Sequence, residues 1–90
     1  MREAACVAYV YLLRCADDSL YCGWTTDPER RLRQHQAGTA SRYTRRRRPV
    51  EFALVIPVAD RSAALREEWR IKRLPRKEKL ALARAWVKGA

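Results

Sequence analysis

The alternation of apolar and polar residues near the start of the chain predicts a β-hairpin. Residues 7–15 and 20–24 are two mainly apolar runs, and an acidic turn at residues 17–19 separates them. Side chains alternate across a strand, so the length of the loop decides which positions share a face. An odd loop gives one almost wholly apolar face, made of the even positions Ala8, Val10, Leu12, Arg14, Leu20, Cys22 and Trp24. We therefore predict the odd loop, because the face that must be buried sets the register.

The odd loop places Tyr11 and Tyr21 together on the other face of the hairpin, beside Gly23. A glycine within a strand marks a position where another group can approach the backbone closely. Tyrosine is also a good strand residue with an amphipathic tip. The pair is therefore either core material or two parts of a site.

The segment after the hairpin carries the start and stop signals of a helix. Asp27 as the N-cap with Pro28 at the first helical position, or Thr26 and Glu29 with capping-box spacing, would start it. Gly38 would end it. We predict a helix between these signals.

The rest of the chain predicts one more strand and two more helices. A loop at residues 39–49 leads to a buried strand at 50–56. Asp60 or Ser62 caps a second helix that runs to about residue 74, and Pro75 starts a third that runs to about residue 88. The element order is ββαβαα, which is one small sheet with helices around it.

The first helix has few apolar residues with which to pack. Only Leu32 and Ala37 are available to a core, whereas Arg31 and His35 are four residues apart and share a face. The helix is therefore expected to dock partly through polar side chains that face the tyrosines. The alternative is a solvated basic helix with a surface histidine.

The second helix carries a carboxylate within an apolar arc. At about 100° per residue, Glu68 lies near the centre of this arc and Glu67 lies towards its edge. The arc consists of Ala64, Leu65, Trp69, Ile71 and Leu74. A buried carboxylate is costly without a cation, so Glu68 is expected to pair with an arginine or to bind a divalent metal ion.

The charge of the chain indicates a polyanionic partner. Twenty Lys and Arg residues stand against ten Asp and Glu, for a net charge of +10. A basic excess on a small domain is typical of nucleic-acid binding, and charge for solubility alone is the alternative. The arginines that are expected to follow a nucleic-acid backbone, without reading sequence, are Arg30, Arg33, Arg42, Arg45, Arg46, Arg47 and Arg48.

The cysteines and the apolar run at residues 4–13 indicate a cytoplasmic protein. Cys6, Cys15 and Cys22 form no C-x-x-C pair and the chain has one histidine, so a structural zinc site is not expected. We predict small buried thiols in a reducing compartment. The apolar run is too short to span a bilayer and lacks a convincing cleavage site, so no membrane association is expected.

The order and spacing of these residues resemble the GIY-YIG nuclease domain. The triplet at residues 9–11 (YVY) is followed ten residues later by that at 21–23 (YCG), and ten further on by Arg31. The resemblance continues through His35, Tyr43 in the S-R-Y-T loop, and Glu68 in A-L-R-E-E-W. It covers about residues 7–80 of one domain at 1–90. Within this family, the chain is most similar to the small, stand-alone, UPF0213-like bacterial branch.

The resemblance implies an α+β fold, with a small three-stranded, mostly antiparallel sheet flanked by three helices. It also implies an endonuclease that hydrolyses DNA with Mg²⁺ or Mn²⁺, structure-selective or weakly sequence-specific, in DNA repair or recombination. Tyr11 would help to activate the attacking water as general base, and Tyr21 would position the water or the phosphate. Arg31 would steady the phosphoryl charge.

Three further residues receive roles from the same resemblance. Glu68 would hold the single divalent ion, and His35 and Tyr43 would add polar side chains to the site. DNA is the implied partner, RNA is the other nucleic acid that fits, and a partner protein or a homodimer is expected to help hold it.

The chain departs from the family pattern at three points. Tyr9 replaces a glycine in the first motif, Cys22 replaces an aliphatic residue in the second, and the chain has no asparagine. A second interpretation is therefore a catalytically weak or inactive nucleic-acid-binding module of the same fold. A third is a protein-interaction domain whose basic face meets an acidic protein.

Overall fold

The central feature of the computed structural model is a three-stranded antiparallel sheet. The structure describes residues 7–89, with side chains to residue 86, so the predicted thiol at Cys6 lies outside it. The strands are β1 (Ala8–Arg14), β2 (Leu20–Thr25) and β3 (Glu51–Val58), in the spatial order β2-β1-β3. The predicted α+β fold class is confirmed.

The register of the hairpin confirms the odd loop. Tyr11 lies opposite Gly23 and Leu13 lies opposite Tyr21, so odd positions share a face with odd positions. The Cys15 amide donates to the Ser19 carbonyl at 2.9 Å, which closes a three-residue loop at 16–18. This loop begins one residue earlier than the predicted turn. Its last residue, an aspartate, takes the left-handed conformation (φ 67°) that is common at this position of such loops.

A β-bulge in β3 distributes its side chains between two cores. The register between β1 and β3 shifts by one residue between Leu12 and Leu13. Ala53 and Leu54 consequently belong to the even-face core with α3 and α4, whereas Phe52 packs in the tyrosine-face core.

Within residues 7–89 four helices surround the sheet: α1 (Pro28–Ala37), α2 (Arg42–Arg45), α3 (Arg61–Lys72) and α4 (Arg76–Gly89). Asp27 and Asp60 are the N-caps of α1 and α3, and Gly38 ends α1 in the left-handed conformation (φ 84°). These caps were among the predicted signals. None of the helices in the part of the chain that the structure describes is long and apolar enough to cross a membrane.

The prediction of a loop at residues 39–49 was wrong in one part. This segment contains the one-turn helix α2, which Ser41 caps by accepting from the Thr44 amide at 3.3 Å. A four-residue helix is too short to show a hydrophobic period, so the pattern of the sequence gave no sign of it.

The predicted apolar arc of α3 was too wide. Ala64 and Ile71 are fully buried, but Leu65 is 52% exposed and Trp69 is 63% exposed. The buried residues are seven apart, two turns of the helix, so α3 contacts the sheet along a narrow line. Leu65 and Trp69 lie outside that line.

Candidate active site

Tyr11 stands at the centre of the site and is almost completely buried (1% exposed). Its hydroxyl lies 2.9 Å from Nε2 of His35 on α1, and the two rings meet edge to face. The phenol lies against the backbone of Gly23, where a Cβ atom would be 2.6 Å from the Tyr11 hydroxyl oxygen. The close approach expected at Gly23 is therefore made by Tyr11 itself.

His35 is a buried member of this site. Its side chain is fully buried, and its Nδ1 lies 2.7 Å from the Thr44 hydroxyl of α2. Burial, helped by the charge of Arg31, lowers the pKa of His35 to about 4, so the ring is neutral at pH 7. The alternative of a surface histidine was wrong.

The hydrogen bonds around His35 assign its tautomer. The Thr44 hydroxyl lies 3.4 Å from the Ser41 carbonyl oxygen, to which it donates. Thr44 therefore accepts the Nδ1–H of His35, which leaves Nε2 to accept from the Tyr11 hydroxyl. A directed chain of hydrogen bonds thus runs from Tyr11 through His35 to α2.

Helix α1 docks through polar side chains, as predicted. Besides His35, the Gln36 side chain donates to the Val50 carbonyl and accepts from the Val50 amide. These contacts hold α1 against Val50, the residue immediately before β3. They compensate for the small apolar surface of the helix, of which Leu32 packs against the tyrosine-face core.

Acid should destabilise the fold over the range in which His35 is charged only in the unfolded chain. The pKa of His35 is about 4 in the folded chain, against an ordinary value of 6.5. The unfolded chain therefore binds this proton first, so the contribution of neutral His35 is complete above pH 6.5 and is lost as pH falls towards 4. We expect a loss on the order of 2–3 kcal/mol in the free energy of unfolding, measured with urea at several pH values.

A matched variant separates this effect from the titration of carboxylates. His35→Gln keeps a polar side chain and removes the titrating ring, so its stability should depend less on pH over the same interval. Equal pH dependence in the two proteins would show that His35 does not titrate in this way.

Arg31 brings a positive charge to the Tyr11 phenol. Burial raises the pKa of Tyr11, and the Arg31 guanidinium partly offsets that rise. Nη1 of Arg31 donates to Gln34 at 3.0 Å, whereas its buried Nε has no hydrogen-bond partner among the described residues. Arg31 also lines an open cavity of about 290 Å³, which is formed by Trp24, Thr25, Thr26, Asp27, Arg30, Arg31, Gln34 and Arg61.

Tyr21 and Tyr43 extend the site towards solvent. The Tyr21 ring meets His35 edge to face, with centroids 5.3 Å apart, and stacks on Tyr43 at 5.7 Å. Arg47 covers the Tyr43 ring, with Cζ 3.8 Å from the centroid, and its Nε donates to Asp17 at 3.0 Å. The tyrosines of both motifs therefore belong to one aromatic group.

Glu68 lies on α3, which packs against the face of the sheet opposite Tyr11. Its carboxylate is 19% exposed and lies 3.4 Å from Nζ of Lys72, and its carbonyl lies 3.9 Å from the Cys22 thiol of β2. The cationic partner of Glu68 is therefore a lysine, where an arginine or a divalent metal ion was expected. Burial, with the negative charge of Glu68, raises the pKa of Cys22 to about 11, so Cys22 stays a thiol. The contacts of Glu68 within residues 7–86 do not include Tyr11, Tyr21 or Arg31.

The predicted nucleic-acid-binding arginines fall into two groups. Arg47 packs on Tyr43, and Arg48 donates to the carbonyls of Arg45 and Gln36, so both also help to hold the α2 region in place. The others are exposed around α1 and α2: Arg30, Arg33, Arg42, Arg45 and Arg46.

Sequence reasoning missed four residues of this region: Trp24, Gln34, Thr44 and Arg61. The spacing of Gln34, three residues after Arg31 on one helix face, was a usable signal. Ser41 and Thr44 also have the spacing of an N-cap and its target. Arg61 and Trp24 come from distant elements, and their contact at 5.8 Å depends on how α3 crosses the sheet.

A model of the GIY-YIG catalytic domain matches residues 7–81 of this chain. The chain therefore belongs to the GIY-YIG family, whose members are nucleases. The resemblance drawn from the two tyrosine motifs is thereby confirmed.

Relatives within this family are small proteins that match most of the chain. A UPF0213 protein from Oceanobacillus iheyensis is 51% identical over 74 residues, which are 82% of this chain and 86% of that protein. UPF0213 protein YhbQ from Escherichia coli is 48% identical over 79% of this chain and 71% of its own length. The solution structure of protein EF2693 from E. faecalis is 40% identical with a TM-score of 0.58, covering 86% of this chain and 82% of that one.

Proposed function

We propose that this chain is a divalent-metal-dependent endonuclease that hydrolyses DNA phosphodiester bonds. The observation that carries the proposal is the hydrogen-bond chain from Tyr11 through His35 to Thr44, with the Arg31 guanidinium beside the phenol. The free, buried thiols of Cys15 and Cys22 support a reducing, cytoplasmic setting.

The hydrogen-bond chain gives Tyr11 a route for its proton. Burial raises the pKa of Tyr11, so the side chain is a phenol at neutral pH. It takes a proton from water only by passing its own to Nε2 of His35. Burial, and after it the charge of Arg31, lowers the pKa of His35. A phosphate bound near Arg31 would offset the second cause and make His35 a better acceptor.

Arg31 is suited to bind the phosphate itself. Its buried Nε is an unsatisfied donor among the described residues, and such a donor is costly to leave without a partner. A phosphoryl oxygen that enters the cavity lined by Arg30 and Arg31 would meet the Arg31 guanidinium, which binds phosphate strongly. The guanidinium then lies where negative charge increases as the phosphorus is attacked.

Glu68 fits a divalent ion held by one protein carboxylate. Carboxylate oxygens suit Mg²⁺, which commonly takes its remaining ligands from water and phosphate oxygens. The described residues contain no cluster of three metal-ligating side chains. Bound at Glu68, Mg²⁺ or Mn²⁺ would neutralise phosphoryl charge as a Lewis acid. The Lys72 ammonium pairs with this carboxylate and gives it a positive partner without metal.

Glu68→Gln tests the metal-dependent part of this proposal. We expect Mg²⁺-dependent cleavage of branched, nicked or linear DNA to fall by at least about 100-fold, because the carboxylate charge that holds the ion is lost. Binding of DNA without metal should not weaken, because the substitution removes a negative charge and frees Lys72. The matched control is Glu67→Gln, since Glu67 is the neighbouring carboxylate and pairs with Arg70 at 2.7 Å. Equal trace cutting by wild type and Glu68→Gln would indicate a contaminant and reject the nuclease.

A nucleic-acid-binding module without activity is the second candidate. Two observations favour it. Tyr11 is a buried phenol and not a phenolate, and the Glu68 carboxylate that would bind the metal ion is already paired with Lys72. This candidate predicts salt-sensitive binding to DNA or RNA with no metal-dependent product in the same assay.

A further inference from the structure

Three side chains of α3 and that of its C-cap residue form an exposed line that the proposed chemistry does not use. Arg61, Leu65, Trp69 and Arg73 are four residues apart in turn, so they follow one side of the helix over about 18 Å. We call them the α3 track. Leu65 is 52% exposed and Trp69 is 63% exposed, so two large apolar side chains lie one helical turn apart on the surface.

The α3 track has an arginine at each end and two apolar side chains between them. Arg73 stacks over the Trp69 ring, with Cζ 4.5 Å from the centroid. At the other end, Arg61 lies over the half-buried Trp24 ring at 5.8 Å. Both Arg61 and Trp24 line the cavity that contains Arg31. The track therefore begins at the candidate active site and leads away from it.

Glu68 lies between the buried side of α3 and this track. At about 100° per residue, the middle of the track is about 130° around the helix from the buried line of Ala64 and Ile71. Glu68 is about 50° from the buried line, about 60° from Leu65 and about 100° from Trp69. The proposed metal-binding carboxylate therefore lies beside the track, on its buried side.

The composition of the track selects among its occupants. An exposed tryptophan alone would suit a protein partner or a second copy of the chain. A second copy, however, brings another net charge of +10, and paired arginines would face each other. An exposed aromatic ring with cations on both sides is a usual platform for the bases and phosphates of a single strand. Bases stacked in a duplex expose only their edges, so this platform needs unpaired ones.

We propose that the α3 track binds unpaired nucleotides adjacent to the cleaved bond, with one base stacked on the Trp69 ring. The preferred substrate class is then DNA in which a duplex continues into a single-stranded segment, such as an overhang or a flap. This inference rests on the proposed nuclease function and adds its substrate class. The open face of Trp69 stacks the base, and Arg61 and Arg73 contact phosphates on either side.

Binding of fluorescein-labelled DNA without divalent metal tests the track independently of cleavage. We expect wild type to bind a duplex with a single-stranded tail more tightly than a blunt duplex of equal length. Trp69→Ala should weaken binding to the tailed DNA by roughly 5- to 100-fold, which is the range for loss of one stacked base. Its affinity for the blunt duplex should not change. Trp69→Tyr keeps an aromatic face and should restore most of the affinity.

A pair of arginine variants tests the charge of the track. Arg73→Gln should weaken binding to the tailed DNA. It should also make the binding less sensitive to salt, so that the negative slope of log K for association against log salt concentration becomes smaller in magnitude by about 1. The control is Arg84→Gln, which removes the same charge from the exposed surface of α4. It should have a smaller effect on tailed DNA than Arg73→Gln.

The outcomes separate this inference from the proposed function. If Trp69→Ala binds tailed and blunt DNA as wild type does, the track is not a strand-binding surface, although the nuclease proposal stands. If wild type retains neither DNA at low salt, both proposals fail. If sedimentation shows a dimer that Trp69→Ala dissociates without a change in DNA binding, the face belongs to a second copy and the inference is overturned.

Discussion

Tyr11→Phe is expected to lower single-turnover DNA cleavage by about 10²- to 10⁴-fold, the usual contribution of a positioned acid–base group. The substitution removes one oxygen and keeps the ring that packs against Phe52 and Gly23. It interrupts the proton route at its first atom, because His35 then has no phenol to accept from. The measurement is single-turnover cleavage of end-labelled branched DNA with Mg²⁺ at saturating protein.

The same change also has a cost in stability, which must be separated from the loss of chemistry. Without the hydroxyl, Nε2 of His35 is a buried acceptor with no partner, at a cost of about 1–3 kcal/mol. Thr44→Val is the matched control, because it breaks the other hydrogen bond of His35 and leaves the Tyr11 phenol in place. We expect a similar loss of stability for the two variants and a clearly smaller loss of cleavage for Thr44→Val.

Two results would count against Tyr11 as the group that activates water. One is a Tyr11→Phe protein that cleaves at a rate close to wild type under conditions in which both are folded. The other is a Thr44→Val protein that loses as much activity as Tyr11→Phe, which would mean that the rigidity of the site matters and the phenol itself does not.

The hairpin shows what the sequence pattern could predict about this site. A period of two, together with the need to bury the even face, was enough to place Tyr11, Tyr21 and Gly23 on the same side. The scarcity of apolar residues in α1 predicted docking through polar side chains such as His35, with a surface histidine as the open alternative that the structure excludes. Both conclusions follow from local spacing and from the cost of exposing apolar surface, so no tertiary information was needed.

The parts that the pattern could not predict depend on distances between elements. Thr44 reaches His35 only because α2 forms within the predicted loop, and the turn that forms it is too short to leave a period. The width of the buried line on α3 depends on how closely the sheet approaches the helix. Helical spacing alone therefore predicted that Leu65 and Trp69 are part of the core. In the structure both side chains are exposed.

Gly23→Ala is expected to damage the site through Tyr11, without touching any charged group. A Cβ atom at position 23 would lie 2.6 Å from the hydroxyl oxygen and 2.8 Å from Cζ of Tyr11, which real Cβ contacts essentially never show. Because Tyr11 is held between His35 and Phe52, the ring must shift and lengthen its hydrogen bond. We expect a loss of about 1–3 kcal/mol in stability, typical of overpacking, and a cleavage rate close to that of Tyr11→Phe.

A double-mutant cycle shows whether the damage passes through the Tyr11 hydroxyl. In the Tyr11→Phe background the closest atom is gone, so Gly23→Ala should cost less stability there than in wild type, with a coupling of about 0.5–3 kcal/mol. Cleavage by the double variant should be no slower than cleavage by Tyr11→Phe. Both substitutions disrupt the same hydrogen bond from Tyr11 to His35, so the second has nothing further to remove. Additive losses in stability and in rate would contradict this. They would show that Gly23→Ala acts by disturbing the pairing of β2 and not through its contact with the Tyr11 hydroxyl.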